Sequence, residues 1–143
     1  MNKIGFVGLG IMGKPMSKNL LKAGYKLVVY DIVAAAVEEV KKAGAEVGTS
    51  PSDVASKTDV IITMLPNSPQ VKEVVLGKNG ILESAKSGSL VVDMSSIAPL
   101  ASRDIAQALA AQNVRAASVV ERKIIGKGSV GRNPHKIYEN TSS

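Results

Sequence analysis

The chain of 143 residues contains no cysteine and a single histidine, His135. Disulfides, thiol catalysis and cysteine-built metal centres are thereby excluded, and a histidine-built metal site has too few ligands. No metal is expected. Aromatic residues make up 3% of the chain, as three Tyr, one Phe and no Trp, so stacking platforms for single-stranded nucleic acid are missing. No apolar run approaches the ~20 residues of a membrane span. The first apolar stretch is short, glycine-rich and followed by lysines, which does not fit a signal peptide. What remains, at 45% hydrophobic and 21% charged, is the composition of a soluble, cytoplasmic globular domain large enough to bury a core, with no membrane partner.

The formal net charge of +6 is unevenly spread. Residues 1–113 carry 12 Lys/Arg against 10 Asp/Glu, and residues 114–143 carry 6 against 2. The basicity belongs to the tail, and with so few aromatics no nucleic-acid partner is expected.

Up to Asn113 the chain alternates apolar runs with amphipathic segments. The runs are KIGFVG (3–8), KLVVYD (26–31), AEVG (45–48), DVIITML (59–65) and SLVVDM (89–94). Most are continuous rather than alternating, which suits strands of a parallel sheet covered on both faces. Between them Met12, Met16 and Leu20 recur at helical spacing. AAAVEEVKKAG closes on Gly44, where a helix cap is expected. Ser50, Pro51 and Asp53 have the order of an N-cap, a first helical position and an acidic first turn. APLASRDIAQALAAQ reads as a further helix. The fold class is α/β: a doubly wound parallel sheet forming a dinucleotide-binding Rossmann-type domain over residues 1–113. Residues 114–143 read as an atypical basic tail, with VRAASVV as a candidate sixth strand and a disordered end from about residue 126.

The stretch Gly8-Leu9-Gly10-Ile11-Met12-Gly13 supplies the G-x-G-x-x-G spacing. Alone it is a weak signal; here it follows a strand and opens a helix, and Asp31 ends the next strand 23 residues after Gly8, near the spacing of a ribose-binding carboxylate. Gly8 would make the tight turn, Gly10 would let a pyrophosphate reach the backbone, and Gly13 would let helix and sheet pack closely. Asp31 accepts from ribose hydroxyls and repels a 2′-phosphate, so NAD is favoured, with NADP as the second cofactor class. Two more loops fall at the carboxyl ends of strands. Met64-Leu65-Pro66 either covers the cofactor or leads into a helix at Asn67 or Ser68. Ser95 and Ser96 either bind the nicotinamide or cap the helix near Pro99.

GFVGLGIMGKPMSKNLLKAGY, DVIITMLPNSPQVKEVVLGKNGI and DMSSIAPLASRDIAQAL together resemble the N-terminal domain of the β-hydroxyacid dehydrogenases. That family includes 3-hydroxyisobutyrate and 6-phosphogluconate dehydrogenases. Within it the resemblance is strongest to the tartronate semialdehyde reductase (2-hydroxy-3-oxopropionate reductase) branch, over about residues 2–112. It implies an NAD(P)-dependent oxidoreductase that transfers hydride between NAD(P)H and a small 3-oxo acid, giving glycerate in glyoxylate and glycerate metabolism. It also implies cofactor contacts from Gly8 to Gly13, from Met64 to Pro66 and from Ser96.

The family continues with a VSGG segment, a K-x-x-N-N helix bearing the catalytic lysine, and an all-helical C-terminal domain that closes the site and builds the oligomer. None of these is present after Asn113. Lys136 and Asn140 stand four apart, but Pro134 interrupts the helix such a lysine needs, so Lys136 reads as a solvated tail residue and no catalytic residue is assigned. A frameshift or truncation after about Asn113, or a short variant with a new tail, fits this break. The expectation is an isolated chain that is inactive; the competing reading is a non-catalytic dinucleotide-binding module acting through a partner chain, with homo-oligomerisation open.

Overall fold

In the computed structural model the described residues are 3–94, 99–121 and 135–140. The chain runs β1 (Ile4–Val7), α1 (Gly13–Lys22), β2 (Leu27–Tyr30), α2 (Ala34–Lys42), β3 (Glu46–Val47), α3 (Pro51–Lys57), β4 (Val60–Thr63), α4 (Ser68–Leu76), α5 (Ile81–Ser84), β5 (Leu90–Asp93), α6 (Pro99–Ala110), β6 (Arg115–Glu121) and β7 (His135–Asn140). The sheet order is β3-β2-β1-β4-β5-β6-β7. The first six strands pair in parallel, and β7 joins β6 antiparallel. The doubly wound α/β architecture expected from the sequence is therefore present, with its topological switch between β1 and β4.

The continuous apolar runs are explained by the two-sided core. Successive residues point to opposite faces. Phe6, Leu27 and Val29 pack with Met16, Leu20 and Leu21 of α1 and Val37 and Val40 of α2. Their neighbours Val7 and Val28, with Ile61 and Val91, pack with Val54 of α3, Val71 and Val75 of α4, and Ile105 and Leu109 of α6. Each such side chain, fully buried, contributes about 1.5–3 kcal/mol. α3 approaches unusually closely: Val54 occupies the space that a Cβ on Gly5 or Gly48 would fill, at 2.5 and 2.6 Å.

Local caps follow the sequence signals. Ser50 Oγ accepts from the Asp53 amide at 3.0 Å, with Pro51 opening α3, and α2 gives way to Gly44 in a left-handed conformation (φ +119°). At Asn113, where the sequence reading places its boundary, the structure has an αβ turn. Asn113 has φ +62°, its side chain donates to Ser87 Oγ, and its carbonyl accepts from the Gly88 amide at 2.8 Å. The turn delivers VRAASVV into β6.

One expectation is corrected. The polar end of the chain reads as disordered from about residue 126, but residues 135–140 form β7 in register with β6 from Ala116↔Asn140 to Glu121↔His135. Antiparallel ladder bonds come from the backbone whatever the side chains, and Ile137 and Tyr138 have β-forming side chains that sparse hydrophobicity conceals. The rest of that expectation lies outside the described residues.

Surface ion pairs tie the elements together. Glu39 of α2 accepts from Lys14 at 3.0 Å and from Lys18, both on α1, and Glu46 of β3 accepts from Lys3 at 2.7 Å. Hydrogen bonds from Lys18 and then Lys14 hold the Glu39 carboxyl below its ordinary range, and Lys3 does the same for Glu46. Asp53 is lowered first by the Thr49 amide and further by Lys57. These depressed carboxyls add stability that is complete above their ordinary values and is lost as pH falls through the folded-state values. The thermal midpoint should accordingly be flat between roughly pH 6 and 8 and fall through roughly pH 5 to 2. In a Glu39→Gln/Glu46→Gln variant, differential scanning calorimetry should give a shallower acid limb.

Candidate dinucleotide site

The site is built where the sheet changes direction. Helices leave β1 and β4 on opposite faces, so the carboxyl ends of these neighbouring strands open a crevice. The ladder extends into it: the Met64 amide donates to Val7 O at 3.0 Å, and the Gly8 amide donates to Tyr30 O at 3.1 Å. Gly8 adopts φ +107°, and a Cβ there would lie 2.2 Å from Met64 O. Only glycine satisfies both conditions. A Cβ on Gly13 would lie 1.8 Å from Gly8 O, whereas one on Gly10 would meet nothing within 4 Å. Two glycines are thus demanded by packing, and the third faces open space at the mouth of the crevice.

Leu9 divides its functions. Its side chain is buried in the core with Phe6 and Leu27, and its amide donates to Asp31 Oδ2 at 2.5 Å. Ile11 and Met12 stand 90% and 60% exposed, and their amides, with that of Gly10, have no protein acceptor among the described residues. The Lys14 amide donates to Gly10 O at 3.0 Å, which begins α1. Unpaired amides at the positive end of a ten-residue helix form an electropositive cradle suited to an anion.

The structure brings Asp31 and the Met64-Leu65-Pro66 loop to this turn. Leu65 Cδ2 lies 3.1 Å from the direction of a Gly8 Cβ, Met64 is half-buried and Pro66 exposed. The loop also starts a helix, because Asn67 caps α4 by accepting from the Gln70 amide at 3.1 Å. Ser95 and Ser96 lie outside the described residues; Met94 before them donates to Thr63 O at 2.9 Å.

Sequence reasoning passed over several residues. Thr63 Oγ1 donates to Asp93 Oδ1 at 2.9 Å, locking the buried ends of β4 and β5 side by side. The signal available was that both are polar residues near the carboxyl ends of apolar strands. Beyond Asp31, an open cleft of about 420 Å³ is lined by Ile32, Glu38, Lys41, Val47 and Gly48 among others. The sequence offers no base beside Asp31, where Ile32 and Val33 follow, but α2 brings Lys41 into the same cleft. Ten residues of separation, most of them in α2, hide that neighbour from a local reading.

Residues 3–119 match the profile described as the NAD binding domain of 6-phosphogluconate dehydrogenase. The chain belongs to that family. It is 52% identical over 104 residues to rat mitochondrial 3-hydroxyisobutyrate dehydrogenase, covering 73% of this chain and 31% of that one. It is 45% identical over 100 residues to 3-sulfolactaldehyde reductase of Escherichia coli K12, covering 70% and 34%. The solved 3-hydroxyisobutyrate dehydrogenase of Mycobacterium tuberculosis superposes with a TM-score of 0.75 at 30% identity, over 84% of this chain and 41% of that one. The chain thus spans about a third of the length of the curated relatives it matches. It is an NAD(P)-binding domain of a family of dehydrogenases and reductases, and among the described residues no helix is long and apolar enough to cross a membrane.

Gly13→Ala should cost about 1–3 kcal/mol through overpacking, while Gly10→Ala should stay within about 0.5 kcal/mol of the parent, both read by urea unfolding. Thr63→Val, which preserves shape but withdraws the hydroxyl from Asp93, should cost roughly 1–3 kcal/mol in the same assay.

Proposed function

We propose that this domain binds NAD(H) across the β1–β4 crevice and serves as the cofactor half of a reductase acting on a small 3-oxo acid. The pyrophosphate rests on the Gly10–Met12 amides, the adenosine ribose on Asp31, and the adenine in the cleft beside Ile32. The observation that carries the reading is the pairing of an open Gly10 with a carboxylate one hydrogen bond away, at Leu9. The bound nicotinamide supplies the hydride; the protein supplies orientation. In this reading Met64 to Pro66 cover the adenosine ribose and the pyrophosphate, and the family resemblance assigns Ser96 a cofactor contact. Asp31 favours NAD over NADP by repelling a 2′-phosphate, and Lys41 is the residue through which NADP is tolerated.

For the substrate we infer tartronate semialdehyde, reduced to glycerate in the cytoplasm, on the strength of the three segments that resemble that branch. The relatives named above act, by their names, on 3-hydroxyisobutyrate and 3-sulfolactaldehyde, so the common chemistry is a short chain with an aldehyde or primary alcohol at one end and an acid group at the other. A second reading is a non-catalytic dinucleotide-binding module that works through a partner chain. It is favoured by the exposed apolar side chains of Ile11, Met12, Ile32 and Val33 at the crevice mouth.

Fluorescence titration should give saturable NADH binding that is tighter than NADPH binding. Gly10→Ala should weaken it about tenfold or more with stability unchanged, since hydrogen bonds to a charged phosphate are worth roughly 1.5–3 kcal/mol. A folded chain that binds neither nucleotide would sink the proposal. NADH oxidation with tartronate semialdehyde, set beside the two relatives' substrates, separates the reductase from the module.

A further inference from the structure

Asp31 is engaged before any ligand arrives. Its Oδ2 accepts from the Leu9 amide at 2.5 Å and its Oδ1 from the Val33 amide at 2.9 Å. The first bond crosses 22 residues of sequence to reach the middle of the glycine turn; the second closes the loop after β2 on itself. The residue before it, Tyr30, accepts from the Gly8 amide at 3.1 Å. The end of β2 therefore grips consecutive amides of the turn, one through a backbone carbonyl and one through the carboxylate.

The Leu9 side chain is anchored in the core, so its amide direction decides how the following amides, Gly10 to Met12, are presented. Without the carboxylate, that half-buried N–H would turn toward water or another acceptor and the next three peptides would follow. A carboxylate offers about four acceptor sites. Two are used by the protein, and two remain, which matches the two adjacent hydroxyls of a ribose.

We propose that Asp31 is a positioning residue as well as a ribose acceptor: by holding the Leu9 and Val33 amides it sets the phosphate-binding turn in its working conformation in the unliganded protein. Binding at the turn then depends on Asp31 even for a ligand that never reaches it. The ligand half of this inference rests on the dinucleotide reading above; the amide half does not.

The test uses amide exchange by NMR on the whole unliganded chain, and two fragments of the dinucleotide. In the parent, the Leu9 amide should exchange at least about tenfold more slowly than the unpartnered Ile11 amide, as expected for a hydrogen bond to a charged acceptor. In Asp31→Ala that protection should be lost, while the sheet amides of Phe6 and Val29 keep theirs. Affinity for AMP, which contains the adenosine ribose, should fall, and affinity for inorganic pyrophosphate, which has no ribose hydroxyls to reach Asp31, should fall about threefold to tenfold as well. A variant that loses AMP alone, with Leu9 exchange and pyrophosphate affinity unmoved, would overturn positioning and leave a simple ribose contact. Parent Leu9 exchanging as fast as Ile11 would overturn it whatever the variant does, including a variant that fails to fold. A parent that binds neither fragment defeats the dinucleotide reading, and Leu9 exchange still decides the positioning claim.

Discussion

The approach of the β1–α1 turn to the end of β4 governs the architecture of the site. Gly8 must run at a positive φ beneath Met64 O, and Gly13 must lie against Gly8 O. Those contacts let α1 start after a five-residue turn and project its free amides over the carboxyl ends of the strands. A side chain at either position would push the helix outward and close the space that Gly10 leaves open. The row of open amides is thus a by-product of how tightly a helix can follow a strand.

Around that turn the structure spends polar groups sparingly and in the same place. Asp31 ties the turn to β2, and Thr63 with Asp93 ties β4 to β5. Each pair joins the carboxyl ends of strands adjacent in the sheet, one on either side of the crevice. Burial supplies the bulk of the stability, because a fully buried apolar side chain outweighs an exposed ion pair worth ~0–1 kcal/mol. The polar pairs instead fix where the loops stand. Both kinds of interaction are needed, since a stable sheet with loosely held loops would present no defined site.

Much of this was legible in the chain. The alternation of continuous apolar runs with helical segments gives the parallel sheet, because strands covered on both faces have no polar side to show. The glycine spacing gives the tight turn between β1 and α1, because a positive φ and a close backbone approach both require glycine. The Asn113 turn and β7 were not legible. An asparagine in a left-handed turn resembles the start of a tail, and a strand whose side chains are mostly polar gives no hydrophobic period. Lys41 was hidden for a further reason: a helix brings it beside Asp31 only after α2 has packed.

By itself, then, the sequence determined the strands β1 to β5, the helices α1 to α4 and α6, and the tight glycine turn at Gly8 and Gly13, all of which follow from local sterics and periodic burial. Tertiary structure alone decided that Asp31 spends two acceptor sites on the Leu9 and Val33 amides, that Thr63 meets Asp93, and that Lys41 enters the cleft beside Asp31. These are meetings between residues up to 30 positions apart, and the order in which strands pair, which no local rule fixes, sets them.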